Sequence, residues 1–413
     1  MRPAGDMAPG GAERAFLFLQ GTSSALFMKC AKELEAAGHS CHRINFNMGD
    51  RLFWPRRNGH NYRGNFDAWP GYVRAFLKSH GITDLILLGE ERPYHKPAAA
   101  IARELGIVVY VVEMGYLRPD WVTLERDGMS SNSHFPRDPQ VILQAAADVP
   151  EPDWTVRYTQ TFLSEALLDL FYNLSAVSFG FLYPHFRWHG VFHPLAEYYG
   201  WIGRLVKSRS RRMHAAATIR RISESGDPYF LYPLQLQTDY QLRAHSPYAS
   251  QQQAIDEILS SFAAHAPADS RLLVKIHPLD NALIDWQGMI EREAQALKVE
   301  HRIDVIDGGN LDALFERSTG LVTVNSTAAI SALRRGLAVK VLGAAIYDID
   351  GITDQRTLDD FWSAPLKPDP VLTRAFFRLL AGTIQVRGNL YSSKGTTAAA
   401  KAIAQRLMDR SVP

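Results

Sequence analysis

The feature that most constrains this chain is a rhythm, met twice, of short apolar runs followed by helical stretches. AFLFL (15–19), LILL (85–88), YFLYP (229–233), LLVKI (272–276) and LVTV (321–324) are too short for buried helices. They also lack the strict polar alternation of a sheet with one wet face, so they read as strands covered on both sides. The first series is strand 15–19, helix 24–38, strand 41–46, strand 85–88, a helix to Leu105 and strand 107–112. The second is strand 229–233, helix 251–264, strand 272–276, helix 286–296, strand 303–306, helix 311–317, strand 321–324, a helix to Gly336 and strand 339–342. Strands alternating with helices argue parallel sheets with covering helices, here two Rossmann-like domains. A chain of 413 residues exceeds what one core usually serves.

The stretch between the two series does not alternate. Residues 162–199 are helical in tendency and crowded with aromatics. Residues 201–221 carry Arg204, Lys207, Arg209, Arg211, Arg212, Arg220 and Arg221 with no acidic residue. Aromatics beside a basic face suit an anionic membrane surface, with Arg204, Lys207, Arg209, Arg211 and Arg212 as the contacts. A packed helical insertion with a solvated basic linker is the plainer alternative. The expected division is a disordered tail (1–13), an N-terminal domain (14–226) with a helical insertion at about 155–221, a C-terminal domain (227–370) and helices (371–413) packing back on the N-terminal domain. Residues 47–63 read as one long polar and aromatic loop, uncommon unless it has a role.

Composition excludes several classes. A net charge of +2 gives no case for nucleic acid. The two cysteines, Cys30 and Cys41, fit neither a disulfide framework nor a metal spacing, as expected of a reduced cytoplasmic compartment. The N-terminus has no apolar core of a signal peptide, and no apolar run nears the ~20 residues that span a bilayer. A membrane would be met from its surface. No Walker lysine loop, HExxH or Cys/His cluster is present, so neither a metal nor a cofactor is expected.

Ligands of parallel sheets bind at the carboxyl ends of the strands. There the second series places Gln235, Gln237 and Asp239, then His277 and Pro278, then Asn325, Ser326 and Thr327. A strand-to-helix turn with Ser and Thr is an anion site, or simply a helix cap. With His277 donating to a phosphate, the second half reads as a nucleotide-phosphate face, and Asp239 lies where an attached sugar would be. Alone, Asp239 is equally a cap and His277 a loop histidine. The first series places Glu90, Arg92, His95, Glu113 and Arg118 on its rim. Two Rossmann-like domains facing a central cleft, donor on the second and acceptor on the first, describe a GT-B glycosyltransferase.

The chain resembles the KpsS family of capsule polysaccharide β-Kdo glycosyltransferases. The resemblance rests on FLFLQG (16–21), HRINFNMGDRLFW (42–54), RPYH (92–95), EMGYLRPDWVTLE (113–125), PLQLQTDYQLRAHSP (233–247), KIHPLD (275–280) and VTVNSTAAISALRRGLAVKVLGAAIYD (322–348). It implies transfer of Kdo from CMP-β-Kdo to phosphatidylglycerol or lysophosphatidylglycerol, starting the poly-Kdo linker of a capsule. It implies retention of configuration, which fits double displacement through a carboxylate adduct, with Asp239 the nucleophile. His277-Pro278 is similar to the HP motif of CMP-sialic acid transferases, and Ser326 and Thr327 to their phosphate-binding Ser/Thr motif. Their acidic pair before glycine survives only as Glu113-Met114-Gly115, which makes Glu113 the base and Glu90 its substitute. The implied location is cytoplasmic, peripheral on the inner membrane, with other capsule assembly proteins as further partners. The competing readings are a non-catalytic capsule assembly or export factor, and an inverting transferase using CMP-sialic acid.

Overall fold

The computed structural model describes residues 13–159 and 161–412. The expected tail therefore lies outside the described residues, apart from Glu13. The chain forms two compact α/β units, residues 1–134, 153–187 and 383–413 in one, 135–152 and 188–382 in the other.

The first unit holds a seven-stranded sheet. Its strands are β1 (Ala15–Phe18), β2 (Ser40–Asn45), β3 (Gly59–Asn61), β4 (Asp84–Leu88), β5 (Val108–Met114), β6 (Trp121–Arg126) and, late in the chain, β12 (Gln385–Arg387). The spatial order is β12-β6-β5-β4-β1-β2-β3. Strands β1 to β5 are parallel in the Rossmann order, while β6 pairs antiparallel with β5, and β12 antiparallel with β6. β1 and β4 are buried at every position, as their unbroken apolar runs require. Helix Leu26–Ala36 turns Leu26, Phe27, Cys30, Ala31 and Leu34 inward. Helix Ser393–Met408 packs on it through Ala399, Ala400, Ile403, Ala404 and Leu407 in the same core. Gly38, at φ +90°, ends the earlier helix in a left-handed turn that a side chain would strain.

The segment expected as a long loop is built differently. Residues 47–63 contain helix Met48–Leu52, capped by Asn47 on the Asp50 N–H, and the edge strand β3. Asp50 is fully buried, pairs with Arg43 at 3.0 Å and accepts the Tyr172 hydroxyl at 3.0 Å. Gln20 and Asn47 donate to the same hydroxyl at 2.6 and 3.0 Å. This buried network fastens helix Phe162–Ser178 to the first unit.

The second unit holds β7 (Tyr229–Pro233), β8 (Arg271–Lys275), β9 (Ile303–Ile306), β10 (Gly320–Thr323) and β11 (Val339–Val341), all parallel, in the order β11-β10-β7-β8-β9. Ile255, Ile258, Leu259 and Phe262 of helix Gln251–His265 pack with Trp362 on Phe230, Tyr232, Leu272, Val274 and Val322. The fold class is as expected, α/β with two Rossmann-like units, GT-B-like in its parts. The expected boundary at 226/227 falls inside the second unit. Helices Pro194–Val206 and Ser208–Ser225 belong there because their arginines find acidic partners on that sheet. Helix Pro370–Thr383 also groups mainly with the second unit, Phe376 packing on Phe135 at 5.5 Å.

Candidate functional site

In the second unit, the connections after β7 and β10 leave in opposite directions, which opens a crevice at their carboxyl ends. Gln235 and Asn325 stand at those two ends, both buried. Gln235 Nε2 donates to Asn325 Oδ1 at 2.8 Å, and the Asn325 backbone N–H donates to Gln235 Oε1 at 3.1 Å. Asn325 Nδ2 donates to the carbonyls of Gln241 at 2.7 Å and His245 at 3.2 Å. Both residues, expected to touch a donor, thus have their amides engaged in a clamp across the crevice floor. Gln237 Oε1 accepts the first N–H of helix Gln251–His265, at Gln251, at 3.1 Å.

Above the clamp, Asp239 is half-buried and caps helix Tyr240–Ala244, its Oδ1 accepting the Gln241 N–H at 2.9 Å. His277 follows β8 and is also half-buried. Its Nδ1 accepts the Leu279 N–H at 3.1 Å, which puts the neutral ring's proton on Nε2 and makes that nitrogen a donor. Pro278 is exposed. Ser326 and Thr327 are half-buried after β10. Ser326 Oγ accepts the Ala328 N–H at 3.2 Å, and its carbonyl accepts the Tyr347 hydroxyl at 2.6 Å. The following helix, Ala328–Arg334, has seven residues, so hydroxyls and turn N–H groups matter more there than a dipole. Asp239, His277, Ser326 and Thr327 are thereby gathered at one end of one sheet, beyond three strands adjacent in space.

Arg204 has a different place from the one expected. It is 6% exposed and cannot meet a membrane. Its guanidinium donates to the carbonyl of His277 at 3.2 Å, to that of Asp280, and to Asp307 at 2.5 Å. Arg211 pairs with the other oxygen of Asp307. Asp280 also accepts the Trp286 indole N–H at 3.0 Å. The sequence shows no acid among these arginines because the acids lie 76 to 103 residues further on, beyond β8 and β9. Arg204 therefore supports the loop that carries His277. Lys207, Arg209 and Arg212 are exposed, as expected. On helix Pro194–Val206, Leu195, Tyr199, Ile202 and Val206 form an exposed apolar stripe, Tyr199 and Val206 at 79% and 80%.

The rim of the first unit lies deeper. His95 is fully buried rather than on the rim. Its Nδ1 meets the Gly89 carbonyl at 2.8 Å, and burial lowers its pKa to about 3. Glu90 is buried and accepts the Met129 N–H at 2.7 Å and the Asn132 amide at 3.3 Å. Glu113 is half-buried at the end of β5, its Oε1 accepting the Met114 N–H at 3.0 Å. Of the two base candidates it is the more accessible. Arg92 is half-buried and Arg118 exposed. Sequence reasoning missed Glu125, buried on β6 against the hydroxyls of Tyr116 and Ser133. Burial pushes its pKa up to about 8, against the hydrogen bonds from Ser133 and Tyr116 and with a further push from Glu90. A separate cleft of about 450 Å³, between helices Ser208–Ser225 and Trp286–Ala296 and strand β9, contains none of the expected site residues.

Among the described residues, no helix is long and apolar enough to cross a membrane. A family profile described as "Capsule polysaccharide biosynthesis protein" matches residues 83–391. The capsule polysaccharide modification protein LipB of Neisseria meningitidis serogroup A is 32% identical over 399 residues, covering 91% of each chain. The capsule polysaccharide export protein KpsS of Escherichia coli is 31% identical over 379 residues, 92% of this chain and 97% of that one. The solved structure of the Thermosulfurimonas dismutans KpsC β-Kdo 2,7 transferase covers 95% of this chain and 100% of its own, at 14% identity and a TM-score of 0.43.

Proposed function

Because this chain belongs to the capsule polysaccharide biosynthesis protein family, we propose that it is a retaining glycosyltransferase moving β-Kdo from CMP-β-Kdo to phosphatidylglycerol or lysophosphatidylglycerol. One observation carries the reading: a carboxylate, an imidazole with its donor nitrogen defined, and two hydroxyls share the strand ends of one Rossmann-like sheet. His277 Nε2–H and the hydroxyls of Ser326 and Thr327 hold the donor phosphate, and the charge that develops on it as CMP leaves is stabilised there. Asp239 attacks the anomeric carbon while the C–O bond to CMP breaks and CMP takes the electron pair. The acceptor hydroxyl then displaces Asp239, its proton passing to a base for which Glu113 is the candidate. Two displacements restore the configuration. Gln235 and Asn325 position the two loops rather than touch the sugar. No metal or cofactor enters these steps.

The protein works at a membrane surface in this reading, on the cytoplasmic face where its donor is made. The stripe on helix Pro194–Val206, beside exposed Lys207, Arg209 and Arg212, supports it.

The purified protein, given enzymatically generated CMP-Kdo and short-chain phosphatidylglycerol, is expected to yield a Kdo-lipid of β configuration by mass and NMR. CMP-sialic acid in its place should yield nothing. Asp239→Asn should bind CMP as the wild type does yet lose transfer by at least ~10³-fold. Near-normal turnover in that variant would remove Asp239 as nucleophile. A folded wild type that binds CMP-Kdo and transfers nothing would favour the assembly or export reading, which the name of the E. coli relative also carries.

A further inference from the structure

At the open edge of the first sheet, three histidines from three elements meet. His42 lies on β2, His60 on the edge strand β3, and His80 directly follows helix Trp69–Ser79. The parallel register sets Ile44 beside His60, so His42 is the near neighbour two residues down the same face. Ring centroids are 5.8 Å apart for His42 and His60, 5.0 Å for His42 and His80, and 5.2 Å for His60 and His80. One nitrogen from each ring lies within 4.8 Å of the other two.

The nitrogens are in the state a metal needs. His42 Nδ1 and His60 Nε2 are shielded from water and have no hydrogen-bond partner. Such nitrogens are costly to bury, and buried polar atoms without partners ask for an explanation. His80 Nδ1 lies 3.1 Å from the Phe76 carbonyl, and an N–H there leaves the lone pair on Nε2. Phe76 stacks on the His80 ring at 3.9 Å and meets His60 edge-on at 4.8 Å, closing one side with apolar surface.

We propose that His42, His60 and His80 form a three-imidazole site for a divalent transition metal of zinc's class, which clips the edge strand β3 and the end of helix Trp69–Ser79 to β2. Neutral imidazoles suit zinc, cobalt, nickel and copper, and three of them leave one coordination position for water. Tetrahedral coordination at ~2.0–2.1 Å brings ligand nitrogens to ~3.4 Å apart, so the rings draw in when the ion arrives. The ligands are 18 and 20 residues apart in the chain, which is why no sequence motif announces them. The site stands independently of the proposed transfer chemistry.

The test uses the full-length protein without a polyhistidine tag, stripped with chelator and titrated with Co²⁺. One equivalent should produce the visible bands of a nitrogen-rich four-coordinate site, Zn²⁺ should bleach them, and Zn²⁺ should raise the unfolding midpoint. His60→Ala and His80→Ala should each weaken Co²⁺ binding at least ~100-fold and abolish the rise in midpoint. His214→Ala, an exposed histidine elsewhere, should change neither. Absence of a stoichiometric cobalt spectrum in the wild type overturns the site even if a variant fails to fold. So does binding that survives both substitutions.

Discussion

The five parallel strands of each sheet share an order, but the two sheets treat the residues at the carboxyl ends of those strands in opposite ways. In the second unit, Asp239, His277, Ser326 and Thr327 stay half-buried above a buried Gln235–Asn325 clamp. In the first, Glu90 and His95 are buried, while Glu113 stays half-buried. The difference lies in the connections that leave the strands. β5 turns back into the antiparallel β6, and the turn at 128–132 is drawn over Glu90 by its Met129 N–H and Asn132 amide. The second sheet is wholly parallel. Chain direction therefore identifies a rim, whereas the connection after each strand decides whether a rim residue reaches solvent.

The largest effect should come from undercutting the second rim. Arg204 holds the His277 and Asp280 carbonyls and pairs with Asp307 in a buried setting. Arg204→Ala leaves the carboxylate of Asp307 with Arg211 as its one remaining arginine and the Asp280 carbonyl without its side-chain donor, while the His277 carbonyl keeps the Asp280 N–H. Breaking a buried pair from one side costs ~3–5 kcal/mol. Urea unfolding should show a loss of this size, and CMP affinity measured by calorimetry below the transition should fall with it. Unchanged stability would mean that the His277 loop stands without Arg204.

The first sheet answers to pH instead, through Glu125 on β6, opposite Val111 of β5. Glu125 has its pKa raised from 4.5 to about 8 in the folded protein, so between those values the folded state holds a proton that the unfolded state has lost. Stability should therefore fall as pH rises from about 4.5 to about 8, at a limiting slope of ~1.4 kcal/mol for each pH unit. Glu125→Gln keeps an oxygen for the Tyr116 and Ser133 hydroxyls and removes the titration. The variant should gain on the wild type as pH rises, the gap levelling off above about 8. Parallel pH profiles for the two proteins would show that Glu125 does not titrate in this window.

These contrasts also mark where the sequence was legible. The strands of both Rossmann-like series were, because burial on both faces demands unbroken apolar runs such as those of β1 and β7. The edge of the first sheet was not. β3 and β12 have three residues each, and β6 is short and bounded by Arg118-Pro119-Asp120 and Glu125-Arg126-Asp127, so none offers a long apolar run. Asp239 and His277 were found because a polar residue just past a buried strand is a local signal. The depth of Glu90, the partners of Arg204 and the His42–His60–His80 group were not, since each depends on residues brought together across the fold. The basic run at 201–221 is the clearest case. Composition gives it one character, and tertiary structure divides it into a buried Arg204 and a half-buried Arg211, which pair with Asp280 and Asp307, and exposed cations.

That division gives the smallest expected effect and its own test. Arg209 and Arg212 are exposed on helix Ser208–Ser225, and Lys207 just precedes it. Each cation near an anionic leaflet contributes ~1 kcal/mol, against the several expected from Arg204 in the interior. Reversing both charges, Arg209→Glu with Arg212→Glu, should leave the unfolding curve within ~0.5 kcal/mol of wild type, as for most surface changes. It should lower partitioning onto phosphatidylglycerol-containing vesicles by ~100-fold or more, since four units of charge change at the surface. Salt should act in the same direction on the wild type by shortening the Debye length. Vesicles of phosphatidylcholine alone should bind both proteins weakly and equally, through the Leu195–Tyr199–Ile202–Val206 stripe. If neither charge reversal nor salt moves vesicle binding, the exposed cations of this helix have no membrane role. The run would then be structural throughout, with Arg204 and Arg211 as the members that matter.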